Sequence, residues 1–168
     1  VKALTAKGAE ITTNAPDRGQ VLWATGVAGL LEMTSNHHRS VGNGVKGQAA
    51  LLRYDARNLP QLFAGGVHVI PHYDGTVAIG STSEREYDTP DQTDAQLDVV
   101  IDAARAAVPA LHHAPVLERW AGVRPRARSR APMLGAWPDR PGHFIANGGF
   151  KIGFGMAPKV AQVMADFM

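Results

Sequence analysis

The sequence predicts an α+β fold, related to α/β folds, in which an antiparallel sheet is flanked by helices. Three observations lead to this prediction: an Asp74-Gly75 turn between two short apolar segments, a capped amphipathic segment over residues 93–108, and a strand, glycine-rich bend and helix that end the chain. Asp-Gly between strand-like runs is a strong hairpin signal, and hairpin strands are antiparallel. The strands of this hairpin are expected at 67–71 and 76–80.

The segment before the hairpin is predicted to contain two strands and a short helix. Residues 20–24 form an apolar strand that Gly26 ends, and residues 27–33 have a short helical pattern. Residues 34–47 are rich in polar residues and glycine and are predicted as a loop. Residues 48–54 then alternate as a second strand.

Residues 93–108 give the clearest helix pattern in the sequence. Thr93 and Gln96 match a capping box, and Pro109 follows the run. Asp94 and Asp98 fall near the positive end of the helix, so we assign them a structural rather than a catalytic role. A further antiparallel strand is expected at 115–121. The apolar residues at helical spacing are Leu97, Val100, Ile101, Ala104 and Val108.

Composition favours a folded enzyme domain or parts of two domains. The chain has 168 residues, of which 45% are hydrophobic, so it has enough apolar material for a core. It contains no cysteine, which excludes disulfides and thiolate chemistry. No apolar run reaches the length of a membrane span and no signal peptide is evident, so a cytoplasmic location is expected.

Charge is unevenly distributed although the net charge is only +2. From Glu84 to Asp102 there are seven carboxylates and one arginine, whereas from Arg119 to the C-terminus there are eight Lys or Arg and two aspartates. A basic stripe can bind nucleic acid, but no aromatic residues interleave here to stack on bases, so we predict no nucleic-acid partner. One arginine is expected to face an active site, and the others to be solvated or to bind acidic partners. The stripe comprises Arg124, Arg126, Arg128 and Arg130, which an extended segment would place on one side.

Metal and hydrolase chemistry have no support in the sequence. The pairs His37-His38 and His112-His113 lack further ligands at suitable spacing, and loop histidines in solvent are the better interpretation. No nucleophile framed by a base, such as a Gly-x-Ser-x-Gly elbow, occurs in the chain. We therefore predict no metal site.

Residues 140–158 are the most informative stretch, because a short strand, a glycine-rich bend and a helix follow one another there. Glycines let backbone N–H groups approach a bound group, and the positive end of the helix points at the same place. The pattern predicts a site for an electron-rich or anionic ligand, and the alternative is a turn that binds nothing. Pro158 is expected in the first helical turn. The glycines are Gly148, Gly149, Gly153 and Gly155, and the expected buried stripe is Met156, Val160, Val163, Met164 and Phe167.

Residues 116–135 connect this bend with a known family. They contain Trp-Ala-Gly-x-Arg-Pro and then Pro-x-x-Gly, and the stretch resembles the glycine oxidase and D-amino-acid oxidase family of FAD-dependent oxidoreductases. The likeness continues in Gly-x-Phe-x-x-Gly at 148–153, in Val-Leu-Trp-Ala-Thr-Gly at 21–26 and in Gly47-Gln48, so it spans nearly the whole chain. The matching positions of the first stretch are Trp120, Ala121, Gly122, Arg124, Pro125, Pro132 and Gly135.

The resemblance implies an FAD cofactor and oxidation of a small amine or amino acid. Hydride transfer from substrate to flavin leaves negative charge on the ring, which the backbone N–H groups of the bend and the helix dipole are suited to stabilise. The adenosine end is expected near residues 21–26. The implied cofactor contacts are Thr25, Gly26, Trp120, Gly122, Gly149, Phe150, Lys151, Ile152, Gly153, Phe154 and Gly155.

Three residues are candidates for catalytic contact with the substrate. Arg124 matches the family arginine that forms a two-pronged ion pair with the substrate carboxylate, and the alternative is a surface ion pair. Lys151 stands where relatives carry another arginine, and it attracts a carboxylate as a point charge. His68 stands where they often carry a tyrosine, and it either hydrogen-bonds the substrate or is structural. Small amino acids, N-methylated amino acids and polyamine-like amines all stay open as substrates.

The resemblance also implies a dinucleotide-binding strand, Gly-x-Gly-x-x-Gly turn and helix, and the sequence has no such unit. Gly42, Gly44 and Gly47 are not followed by a helical pattern. We therefore expect the C-terminal half of a longer flavoprotein, or of a gene product that lost its first half. Residues 1–33 and 140–168 would be the remnant of a Rossmann-like FAD-binding domain, and residues 34–139 the substrate-binding domain.

Two consequences follow for function. The isolated chain is expected to bind FAD weakly or not at all, and to need the missing N-terminal half as a partner. The alternative is a non-catalytic fragment or subunit that binds a partner through its basic edge.

Overall fold

The computed structural model describes residues 1–168 and places two sheets and four α-helices in the chain. The expected α+β class with an antiparallel sheet is confirmed. The helices are α1 (Lys2–Thr5), α2 (Gly26–Asn36), α3 (Ala95–Ala107) and α4 (Gly153–Phe167). The strands are β1 (Val21–Trp23), β2 (Gly42–Arg53), β3 (Leu62–Ala64), β4 (Val67–Pro71), β5 (Thr76–Gly80), β6 (Val116–Ala127), β7 (Met133–Ala136) and β8 (His143–Asn147). Short 3-10 turns occupy Pro109–Leu111 and Phe150–Ile152.

The larger sheet has the order β3-β4-β5-β2-β6, and every neighbouring pair is antiparallel. The predicted hairpin is confirmed, since β4 and β5 have the expected bounds and pair with each other. One face of the sheet packs against α3, because Leu52, Val69 and Ile79 alternate inward and meet Leu97 and Ile101 of the helix. Arg124 of β6 and His68 of β4 lie on the opposite face.

Strand β2 corrects the prediction of a loop over residues 34–47. It begins at Gly42, six residues before the predicted start, and pairs with β6 along its length, with Val45 opposite Arg124 and Gly47 opposite Gly122. Its glycines are weak strand formers, but they leave room that other groups fill: a Cβ at Gly44 would lie 2.6 Å from the Tyr87 hydroxyl. Tertiary pairing therefore overrides local propensity here.

Helix α3 confirms the predicted helix but corrects its cap. The capping residue is Asp94, not Thr93: Asp94 is extended (φ −140°), and its Oδ1 accepts a hydrogen bond of 2.9 Å from the N–H of Gln96. The backbone N–H of Asp94 donates to Gln48 Oε1 at 2.8 Å, which fixes the residue where the helix begins. The structural role expected for Asp94 agrees with this geometry.

The smaller sheet has the order β1-β8-β7, with β1 parallel to β8 and β7 antiparallel to it. The predicted strand over residues 20–24 is thus confirmed as an edge strand, and the helical pattern of residues 27–33 belongs to the longer α2. Asn147 ends β8 and the chain turns directly into the glycine-rich bend.

Two predictions for α4 are wrong. The helix already begins at Gly153, so Pro158 is its sixth residue and lies inside the helix rather than in the first turn. The apolar stripe is also not buried as expected, because only Met164 is fully buried and Phe167 is 56% exposed. Val160 and Met164 of the stripe line an open cavity, and Val160 and Val163 are half-buried.

The arginine stripe needs a correction as well. Strand β6 ends at Ala127, and Arg128 and Arg130 lie in the turn that follows, where Arg130 has a positive φ of 65°. Only Arg124 and Arg126 share one side of an extended strand.

Among the helices of the structure, none combines the length and the apolar character needed to cross a membrane.

Candidate functional site

The end of β6 and the glycine-rich bend lie side by side. Arg126 forms an isolated β-bridge with Gly149, and the N–H of Ala127 approaches the carbonyl of Gly148 at 3.5 Å. The guanidinium carbon of Arg126 lies 5.9 Å from the centre of the Phe150 ring. Two segments that are more than twenty residues apart in sequence thus form one wall of a site.

A mostly apolar cavity of about 670 Å³ opens beside this wall. It lies between the small sheet and α4, with Leu22 of β1 and Ala24 just after that strand on one side and Met164 of α4 on another. Pro125 closes the end near β6. Of the predicted cofactor contacts, four line the cavity: Gly26, Gly149, Phe150 and Gly153.

The backbone of the bend leaves open space beside it. Gly148 has a φ of +75°, which favours glycine, and Phe150 has a φ of +47°, which is unusual for a bulky residue. A Cβ built on Gly153 would have no atom within 4 Å, so the cavity is open above the first turn of α4. No side chain caps this helix, which follows directly on the 3-10 turn Phe150–Ile152.

Asn147 ties the two halves of the cavity together, and sequence reasoning missed it. Its Nδ2 donates to the carbonyl of Gly26 at 2.8 Å, and its Oδ1 accepts from the N–H of Gly148 at 2.7 Å. The side chain is buried, and it joins the turn after β1 to the bend after β8. A polar residue at the end of a buried strand, directly before two glycines, was the available signal.

Arg124 reaches across the large sheet to a neighbouring strand. Its side chain leaves β6, passes over Gly47 of β2 and donates from Nη2 to Ser81 Oγ at 2.6 Å and from Nη1 to the carbonyl of Thr82 at 3.4 Å. A Cβ on Gly47 would overlap the guanidinium, so the absence of a side chain there makes room for it. Partial burial lowers the pKa of Arg124, and the nearby Glu84 carboxylate opposes that shift. The guanidinium remains a cation.

A buried ionic network lies behind Arg124, on the opposite face of β2. Lys46 is 1% exposed, and its Nζ lies 3.5 Å from both Glu84 Oε2 and Asp94 Oδ2. Gln48 donates from Nε2 to Glu84 Oε1 at 3.0 Å, and the Thr82 hydroxyl also donates to that oxygen. Thr82, in the segment after β5, thus contributes its hydroxyl to the network and its carbonyl to Arg124. Sequence reasoning missed Lys46, Gln48 and Glu84.

The other predicted substrate residues lie on the same sheet face or at its edge. His68 is exposed on β4, pairs in register with Gly80 and lies with its ring 4.6 Å from that of Phe63. Gly80 directly precedes Ser81, the partner of Arg124. Lys151 is exposed in the bend, with its Nζ 5.7 Å from the centre of the Phe150 ring.

The remaining predicted cofactor residues do not line the cavity. Trp120 and Gly122 lie on β6 nearer its start, and Thr25 precedes α2. Ile152 and Gly155 flank the bend, and Phe154 is 98% exposed at the start of α4. Their cofactor roles stay predictions.

Comparison with known proteins adds three findings. The family model described as FAD dependent oxidoreductase matches residues 1–167. Glycine oxidase of Pseudomonas putida is 33% identical over 126 residues, which are 74% of this chain and 34% of that protein. Glycine oxidase of Pseudomonas aeruginosa is 32% identical over 125 residues, with the same shares of both chains. The chain spans about a third of the length of these curated relatives.

Solved structures show a similar fold. The crystal structure of glycine oxidase from Geobacillus kaustophilus superposes with a TM-score of 0.76 at 26% identity, covering 88% of this chain and 40% of that one. Glycine oxidase from Bacillus cereus gives a TM-score of 0.76 at 25% identity, covering 88% and 41%. The fold described above is therefore the fold of a part of these larger proteins.

Proposed function

This chain belongs to the family of FAD-dependent oxidoreductases, and from that premise we propose that it forms the substrate-binding and flavin-closing part of an enzyme that oxidises a small amine or amino acid. One observation carries the proposal: the Arg-Pro end of β6 and the glycine-rich bend meet at a single cavity. The relatives' names give glycine as one member of this substrate class.

The residues around the cavity fit a flavin. The lining is apolar, as a planar ring system requires, and the open space above Gly153 admits a group that a larger side chain would exclude. The uncapped first turn of α4 offers backbone N–H groups and a positive dipole end to an electron-rich edge. FAD, when bound, supplies the hydride acceptor for oxidation of a carbon–nitrogen bond.

Arg124 is the proposed substrate clamp. Ser81 Oγ and the Thr82 carbonyl hold its guanidinium across β2, and a planar guanidinium matches a carboxylate with two parallel hydrogen bonds. Holding this side chain in advance lowers the entropy cost of orienting the substrate. Lys151 adds positive charge at the bend, and His68 lies on the same sheet as a hydrogen-bonding group.

We also propose that the chain works together with a nucleotide-binding part, and that residues 1–33 and 140–168 belong to that domain while residues 34–139 bind substrate. Strand β1 pairs on one edge only, with β8, which leaves its other edge open to a further parallel strand. Leu22 of this strand lines the cavity and is 41% exposed, so an added strand could cover it. Without the pyrophosphate-binding turn, the cavity holds only one end of the cofactor.

Visible absorption tests this proposal. The 168-residue chain should bind added FAD weakly or not at all, and a longer polypeptide that includes the nucleotide-binding part should be yellow. In that longer protein, Gly153→Val should abolish the flavin spectrum without unfolding, because the new side chain enters open cavity space and valine is a better helix former than glycine. Ala106→Val, on the exposed side of α3, is the matched control. A colourless longer protein, or full flavin content in Gly153→Val, would overturn the proposal.

A further inference from the structure

A second and smaller cavity, of about 270 Å³, lies on the other side of Phe150. Its walls carry four cationic side chains, Arg85, Arg126, Arg130 and Lys151, together with the Ser83 hydroxyl. No carboxylate lines it, and none of the four cations belongs to any salt bridge in the structure. The cavity is therefore an uncompensated positive site.

The cations are assembled by the fold rather than by one basic run of sequence. Arg85 follows β5, Arg126 lies on β6, Arg130 is in the turn after β6, and Lys151 is in the bend before α4. Like charges repel, so their convergence disfavours folding unless an anion neutralises them. Two of the positions flanking the cavity, Arg130 and Phe150, have positive φ values of 65° and 47°, a backbone state that concentrates at ligand sites.

The positive site lies next to the proposed carboxylate clamp. Arg126 is two residues beyond Arg124 on β6, so both side chains leave the same face of the strand at Cα positions about 6.6 Å apart. Val45, the partner of Arg124 in the β2–β6 register, is itself a wall of the cavity. A short molecule with acidic groups at both ends can span the two sites.

We propose that the substrate is an amine or amino acid with a second acidic group. One carboxylate binds Arg124, and the other lies among Arg85, Arg126, Arg130 and Lys151, with the Ser83 hydroxyl as a further donor. This inference rests on the proposed function and narrows its substrate class. Glycine has a single carboxylate, so glycine bound to Arg124 would leave the second site empty.

A binding experiment on the 168-residue chain tests the inference. Iminodiacetate and glycine are titrated separately at physiological salt, and amide chemical shifts report the binding of each. Iminodiacetate should bind at least about tenfold more tightly than glycine, because it gains charge-assisted hydrogen bonds. The double variant Arg85→Gln/Arg130→Gln should reduce that preference to about twofold or less. Arg128→Gln, which removes one positive charge from a residue outside the cavity, is the control and should keep the preference.

Three results would overturn the inference: equal affinity for the two probes, the same loss of preference in Arg128→Gln, or inorganic phosphate binding as tightly as iminodiacetate irrespective of Arg124→Gln. The last result would assign the cavity to free anions rather than to a substrate group. The binding measurement uses no flavin, so its outcome is independent of the FAD test. If the longer protein is yellow but the chain shows no preference for iminodiacetate over glycine, only this inference is refuted.

Discussion

Placing a single methyl group at Gly47 should displace the proposed clamp. Gly47 lies in the middle of β2, directly under the side chain of Arg124, and a Cβ at this position would overlap the guanidinium. The backbone of Gly47 has no positive φ, so alanine is acceptable there in conformation. The clash therefore falls on the flexible arginine, which must move away from Ser81 and Thr82.

The effect on stability is expected to be small and the effect on binding large. Losing the hydrogen bonds of a charged group costs about 1.5–3 kcal/mol when the group is buried, and less for Arg124 because it is only half-buried. Replacing glycine by alanine in a strand returns about 0.5–1 kcal/mol. The net destabilisation of Gly47→Ala should thus be about 1 kcal/mol. A displaced clamp loses its paired hydrogen bonds to a carboxylate, which corresponds to about a tenfold or greater loss of affinity.

Two measurements on the isolated chain test the role of Gly47. Urea unfolding gives the stability change, and chemical-shift titration with iminodiacetate gives the affinity. Gly122→Ala is the matched control for binding in the absence of FAD, because Gly122 lies opposite Gly47 in the ladder and a Cβ there meets no atom within 4 Å. If Gly47→Ala binds iminodiacetate as tightly as the original chain while remaining folded, the contacts of Arg124 across β2 do not hold a carboxylate clamp.

Three further predictions concern the clamp and the network behind it. In an active longer protein, Arg124→Lys should raise KM for an acidic substrate, because an ammonium lacks the planar fork; an unchanged KM would exclude the clamp. Lys46→Met should destabilise the fold by about 3–5 kcal/mol in urea unfolding, because it leaves the buried Glu84 carboxylate without its cation; a change under 1 kcal/mol would show that the pair contributes little. Hydrogen bonding with Gln48 and with the N–H of Gln96 lowers the pKa of Asp94, and Lys46 adds to the shift. Because the pKa of Asp94 is lower in the folded chain, its carboxylate stabilises the fold above about pH 4. This stabilisation is lost as the pH falls through the folded pKa. Acidification from about pH 5 to pH 3 should therefore lower the urea midpoint of the original chain more than that of Asp94→Asn.

Local patterns predicted the elements whose cause is local. The Asp74-Gly75 turn sets the β4–β5 hairpin, and the apolar spacing of residues 97–104 sets α3, because turn chemistry and helical periodicity act within a few residues. The pattern failed for residues 42–47, where three glycines indicate a loop but pairing with β6 makes a strand. It also misplaced the α3 cap by one residue, since the Gln48 side chain, 46 positions earlier, fixes Asp94.

The sequence by itself determined the family motifs and the residue types of the site. The Trp-Ala-Gly-x-Arg-Pro stretch, the glycine-rich bend and the identity of Arg124 as the candidate clamp could all be read from the order of residues. Only the tertiary structure decided which atoms surround them: Gly47 beneath the guanidinium, Asn147 between two turns, and four separate cations around one cavity. These contacts join positions distant in sequence, and strand register and loop closure, which no local pattern encodes, bring them together.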